Sequence, residues 1–192
     1  METVIDLALN FWQYSLLIFL ILIGFLINLL DRRIKVKYKF EYDEYPILQP
    51  IKIPTAGKGF WTMIQIWLFG SRKWKIAKDF KYKLDGEEYV IPKGFSCDLA
   101  STPKFLHFIL SPSGLLMMAG IVHDHAYQNA TLLKADKKTT MGAIDQKKAD
   151  QIFLDINLQI NGFYLLNKLA YWSLRLAGFA AWNKHRKAEA KK

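Results

Sequence analysis

Three stretches of the sequence carry polar groups on otherwise apolar backgrounds: Gly94-Phe95-Ser96-Cys97-Asp98-Leu99-Ala100-Ser101-Thr102-Pro103, Ile121-Val122-His123-Asp124-His125-Ala126-Tyr127 and Ala149-Asp150-Gln151-Ile152-Phe153. His123 and Tyr127 are four residues apart and share one face of a helix, while Asp124 points about 100° away from His123. Asp150 falls early in the next helix, which should pack antiparallel beside the first and bring a carboxylate to the imidazole. A histidine with a carboxylate on one ring nitrogen is held in a single tautomer, and its other nitrogen can take a proton from water. Asp124 could hold a cation that polarises a carbonyl. The plain alternative is a satisfied structural cluster that knits two helices together.

The neighbouring polar residues divide in the same way. Asp98 either caps the helix that follows it, with Ser101 and Thr102 beside it, or reaches the His123 site as a second anionic metal ligand. Nothing around Ser101 resembles a strained nucleophile elbow. His125 faces elsewhere on its helix and His107 sits among apolar neighbours, so both read as structural. Cys97, the single cysteine, lacks an activating base and reads as a buried hydrophobe. One cysteine also excludes a disulfide scaffold and a Cys-rich zinc module.

The pattern Gly-Phe-x-x-Asp-x-Ala-Ser-x-Pro at 94–103, His-Asp-x-x-Tyr at 123–127 and Ala-Asp-x-x-Phe at 149–153 resembles an uncharacterised domain family of bacteriophage and prophage genomes, over roughly Trp74–Trp182. The helical half also resembles phospholipase A2 of the viral capsid type. That resemblance implies a general base at His123, an orienting carboxylate at Asp150, a supporting hydroxyl at Tyr127 and a calcium ligand at Asp124. The sequence departs from it upstream, where a glycine-rich calcium loop is missing and Ser111-Pro112-Ser113-Gly114 is the nearest counterpart.

The elements that must position these residues are legible from periodicity. The expected fold is α+β: an N-terminal transmembrane helix, a β-rich half with a hairpin, then antiparallel helices. Val36–Tyr42 alternates, and Asp85-Gly86 between Phe80–Leu84 and Glu88–Ile91 signals a short hairpin. Trp61–Phe69 fits a buried strand or a short helix. Leu115–Gln128 has helical spacing, and Asp145 is a natural N-cap for a helix from Gln146 to about Ile160. Ala149, Ile152, Phe153, Ile156 and Ile160 form its buried stripe. Asn161-Gly162 ends it. A last helix, Tyr164–Trp182, carries Lys168, Tyr171 and Arg175 along one side and packs on the core or lies at a lipid surface. Expected boundaries are an anchor over 1–31, a linker and β-rich segment over 32–73, a domain over 74–182 and a basic tail over 183–192.

The anchor rests on the uncharged run Phe11–Leu30, with Glu2 and Asp6 before it and Asp31, Arg32, Arg33, Lys35 and Lys37 after it. About 20 helical residues match a bilayer core. Basic flanks after the run imply a single pass with the C-terminal domain on the cytoplasmic side or inside a membrane-containing virion. The chain carries a formal +10, and without the two acids of residues 1–30 the remainder carries +12. That charge suits anionic lipid heads. Nucleic acid is the weaker reading, because no binding motif accompanies the charge. Expected partners are therefore a lipid membrane and other phage or virion proteins. The function expected is a membrane-anchored phospholipase A2-like hydrolase, with a non-catalytic virion or host-membrane protein as the alternative.

Overall fold

A computed structural model of the chain describes residues 11–30, 36–53, 55–69, 73–99 and 114–190. In chain order the elements are α1 (Trp12–Leu30), β1 (Phe40–Tyr42), β2 (Leu48–Pro50), α2 (Phe60–Phe69), β3 (Trp74–Ile76), β4 (Phe80–Leu84), β5 (Glu87–Ile91), β6 (Ser96–Cys97), α3 (Met117–Asn129), α4 (Gln146–Asn161) and α5 (Tyr164–Glu189). The architecture is α+β, with two small antiparallel sheets ordered β1-β4-β5 and β2-β3-β6. Trp61–Phe69, which fitted either a strand or a helix, lies in helix α2.

β4 and β5 form the hairpin, with Phe80 opposite Ile91 and Leu84 opposite Glu87. Asp85 and Gly86 both take positive φ, 54° and 82°. A two-residue turn of that handedness matches the twist of the flanking strands. The alternation of Phe80, Tyr82 and Leu84 turns all three inward, where Tyr82 stacks on Phe80 and Tyr89.

The helical half is built around α3, which is buried from Met118 to Tyr127. A helix covered on every side needs no amphipathic stripe, and its polar residues then have to find partners inside the protein. α4 runs antiparallel to it: Asp150, early in α4, meets His123 at the middle and Tyr127 near the end of α3, and Asn161 at the far end of α4 donates to Leu115 O, just ahead of α3, at 3.3 Å. Asp145 caps α4 by accepting from Lys148 N at 2.7 Å. Gly162 (φ 64°) ends it in the left-handed region open to glycine. α5 folds back along α4, anchored near its start by Asn167 Nδ2 donating to Asn161 Oδ1 at 2.8 Å. It continues past Trp182 to Glu189, through residues that composition alone reads as a basic tail. Arg186 explains the extension: its guanidinium donates to Tyr127 O and Gln128 O, both at 2.8 Å, and lies over the Trp182 ring.

The segment leading into β1 is latched to α4. Lys37 N and Tyr38 N donate to Asp155 Oδ2, and Phe40 N donates to Gln159 Oε1. The β-rich half and the helical half are thereby joined by hydrogen bonds from backbone amides to side chains of α4.

The expected transmembrane anchor is corrected, and the single-pass location with it. Among the described residues no helix is long and apolar enough to cross a membrane. The apolar run does form a helix, α1, of 19 residues, but it is not a free-standing span. One side of it is engaged with protein: Gly24 is buried against α5, where a Cβ would stand 2.9 Å from Leu165 Cδ2.

The cap at Asp145 gives a direct check. Asp145→Ala removes the acceptor for Lys148 N and should lower the unfolding free energy by about 1 kcal/mol, read as a shift in denaturant midpoint at unchanged slope.

Candidate functional site

Three helices converge on one carboxylate. Asp150 is completely buried, and its oxygens accept three short hydrogen bonds. Oδ1 takes His123 Nε2 at 2.8 Å and Tyr127 OH at 2.6 Å, and Oδ2 takes Arg175 Nη1 at 2.6 Å. Burial alone would raise the pKa of Asp150. The bonds from His123, Tyr127 and Arg175 outweigh it and hold the group below the usual carboxylate range. An ionised carboxylate only accepts, so Nε2 of His123 carries the proton of their shared bond and Nδ1 is left as the basic nitrogen of the ring.

The surroundings hold this arrangement in place. The His123 ring, only 5% exposed, packs against Tyr127 with centroids 4.0 Å apart and against the edge of Phe153 at 5.3 Å. Trp182 lies edge-on to Tyr127 at 5.1 Å. Burial, and then the bond to Asp150, push the Tyr127 phenol well above its usual pKa, so the hydroxyl stays a donor. Arg175 is raised by its hydrogen bond to Asp150. Gly178, one turn along α5 from Arg175, is the point of closest approach: a Cβ there would stand 2.5 Å from Tyr127 Oη and 3.1 Å from Gln146 Nε2. Any larger residue would occupy the space the tyrosine needs to reach Asp150.

His123, Tyr127 and Asp150, read from spacing as one cluster, are in mutual contact. Arg175 and Gly178 complete it, and sequence reasoning assigned neither to the site. The available signal was a lone arginine in the apolar middle of α5, which needs a buried or partly buried acid.

Asp124 and Asp98 form a second, adjoining feature. Asp124 is buried and accepts from Asp98 N at 3.0 Å. It also shares a side-chain hydrogen bond with Asp98 and accepts from the Leu99 backbone. Burial first, and then the charge of Asp98, push Asp124 well above the usual carboxylate range. Among the described residues no group of three or more His, Cys, Asp or Glu side chains is arranged to hold a metal ion. Calcium prefers six to eight oxygens, so these two carboxylates could supply only part of a shell. Ser101, Thr102, His107 and Ser111–Ser113, and with them the helix Asp98 was expected to cap, lie outside the described residues.

The remaining singled-out residues are inward-facing. His125 is buried with its ring against Phe95, and burial lowers its pKa to about 4. Cys97 is buried, and its thiol is pushed up to about 12, chiefly by burial. A surface cleft of about 620 Å³, lined by Lys78, Asp79, Lys93 and Lys137 among others, shares no lining residue with the His123 cluster.

The family described as "Protein of unknown function (DUF1353)" matches residues 74–174, just over half of the chain, and the chain belongs to that family. No curated protein and no solved structure matches it significantly. The matched span begins at the first residue of β3 and ends one residue before Arg175.

Two measurements test this geometry. Gly178→Ala should lower the melting temperature, and Tyr127→Phe should relieve part of that loss, because the clashing Oη is gone. A double-mutant cycle should show coupling of about 1 kcal/mol or more; strict additivity would contradict the close approach. Asp150→Asn should cost on the order of 3 kcal/mol at neutral pH, by leaving Arg175 without its anion. Because the folded-state pKa of Asp150 is depressed, its contribution is fully present above the unfolded value near 3.8 and is lost as pH falls through the folded value. The stability gap between wild type and Asp150→Asn should therefore close on acidification below about pH 4.

Proposed function

We propose that the protein is a hydrolase of lipid esters that uses His123 as general base, with Asp150 orienting the imidazole and Tyr127 and Arg175 holding the carboxylate. The observation that carries this reading is the 2.8 Å bond between His123 Nε2 and Asp150 Oδ1. It fixes one tautomer and leaves Nδ1 to take a proton from water. The water oxygen would add to the ester carbonyl while its proton passes to Nδ1. As the carbon–oxygen bond to the alcohol breaks, that proton is delivered to the departing oxygen, giving a fatty acid and a lyso-product with no covalent enzyme intermediate. The likeness of the 123–127 and 149–153 motifs to phospholipase A2 supports lipid esters as the substrate class.

Asp124 and Asp98 are the residues that would hold calcium. Their fit is partial, since two carboxylates leave most of the shell to backbone and water. Two acids side by side, one of them buried and pushed toward its neutral form, are nevertheless a pair that a divalent cation would relieve. When bound, the ion would supply polarisation of the ester carbonyl.

One observation favours a second reading. Arg175 and the near-complete burial of His123 make the cluster a satisfied knot among α3, α4 and α5, which would suit a non-catalytic structural protein.

Fatty-acid release from phospholipid vesicles by the full chain, with calcium and with chelator, separates the two readings. The hydrolase reading expects turnover that His123→Ala lowers by about 100-fold or more and that Asp124→Asn makes insensitive to calcium. Asp124→Asn should also raise the melting temperature at neutral pH, since it removes the cost of a buried carboxylate, and with it the repulsion from Asp98, while keeping an acceptor oxygen. No release under either condition, with His123→Ala lowering only the melting temperature, would establish the structural reading instead.

A further inference from the structure

α5 is apolar on two opposite sides. Leu166, Ala170, Leu174 and Gly178 face the core. Leu169, Trp172, Leu176 and Phe179 face outward and are 50%, 58%, 75% and 57% exposed. Spaced i, i+3, i+7 and i+10, these four fall within about 80° of one another around the helix. The same stripe begins at Leu165, which is where Gly24 of α1 docks. α1 itself carries further exposed apolar side chains, among them Leu17, Ile21, Leu22 and Phe25. A contiguous apolar surface of this length is an interaction site in a folded protein.

Charge selects the occupant. α5 carries Lys168, Arg175, Lys184, Arg186 and Lys187 against the single acid Glu189, and the chain as a whole carries +10. A second copy would bring the same sign against itself. Between Leu16 and Ile27, α1 offers no polar side chain to fix the register of a protein partner. A bilayer surface with anionic heads satisfies both conditions, since it requires no register and attracts lysine.

We propose that the outward stripe Leu169–Trp172–Leu176–Phe179 seats α5 on an anionic lipid surface, with Lys168, Lys184 and Lys187 at headgroup level. Arg175, on the same helix, holds Asp150, so this seat fixes the His123 cluster across α5 from the lipid, about one helix diameter away. The inference deepens the proposed hydrolase reading by naming the surface from which its substrate would come, and it rests on that reading only for the link to turnover.

The test is flotation of the full chain with phosphatidylcholine vesicles, with and without phosphatidylglycerol, beside the variants Leu176→Glu and Trp172→Glu. Both positions are exposed, so the variants should melt like wild type; Leu176→Gln replaces either one that does not. Wild type should float with the anionic vesicles and far less with the neutral ones. Each substitution should weaken binding about tenfold, a loss of about 1.4 kcal/mol. His123→Ala should float like wild type, so a failure of docking and a failure of hydrolysis are read separately. Equal flotation of wild type and the substituted chains would overturn the proposal. So would wild type that ignores both vesicles, including the case in which it forms a dimer that the Glu variants dissociate.

Discussion

A fully buried carboxylate organises the helical half of this protein. Asp150 has no solvent to support its charge and survives ionised because a histidine, a tyrosine and an arginine each donate to it at hydrogen-bond distance. Those donors come from α3 and α5, so the requirement to satisfy one anion dictates how three helices sit together. Several other features follow from it. α3 can be buried on all sides because the polar groups it carries toward α4 are answered. α5 needs a glycine at 178 because the tyrosine hydroxyl must pass close beneath it. Arg186 and Trp182 then extend the same contact surface to the end of α3.

Much of the local structure was legible in the residues. Asp145 as a cap, Asn161-Gly162 as a stop and Asp85-Gly86 as a tight turn are signals in which one residue type answers one backbone need, and each is seen where it was expected. The contact of His123 and Tyr127 with Asp150 followed from a four-residue spacing plus antiparallel packing, both short-range arguments. The limits lie where a residue's role depends on a partner far away in the chain. Arg175 in an apolar stretch says that it needs an acid, but nothing local says which helix supplies it, or that Gly178 is there for clearance. Lys184–Lys187 read as a solvated tail, yet Arg186 gives that stretch a reason to stay helical.

The N-terminal run shows the opposite error. Its composition is apolar enough to suggest a span, but span length and neighbouring surface are properties of the folded chain. Among the described residues no helix is long and apolar enough to cross, and α1 already has a protein neighbour where Gly24 docks on Leu165. The same contact turns attention to α5, whose outer stripe begins where α1 rests.

The latch between the β1 leader and α4 bears on how the molecule is made. The amides of Lys37 and Tyr38 bond a side chain 118 and 117 positions further along the chain. β1 can pair with β4 once Leu84 has emerged, but a ribosome must emit most of the polypeptide before the segment ahead of it can find this acceptor. Until then the leader is exposed to wrong partners, and closing so large a loop is slow. Productive assembly of the two halves is thus expected to be a late event in biogenesis, completed only when α4 has emerged.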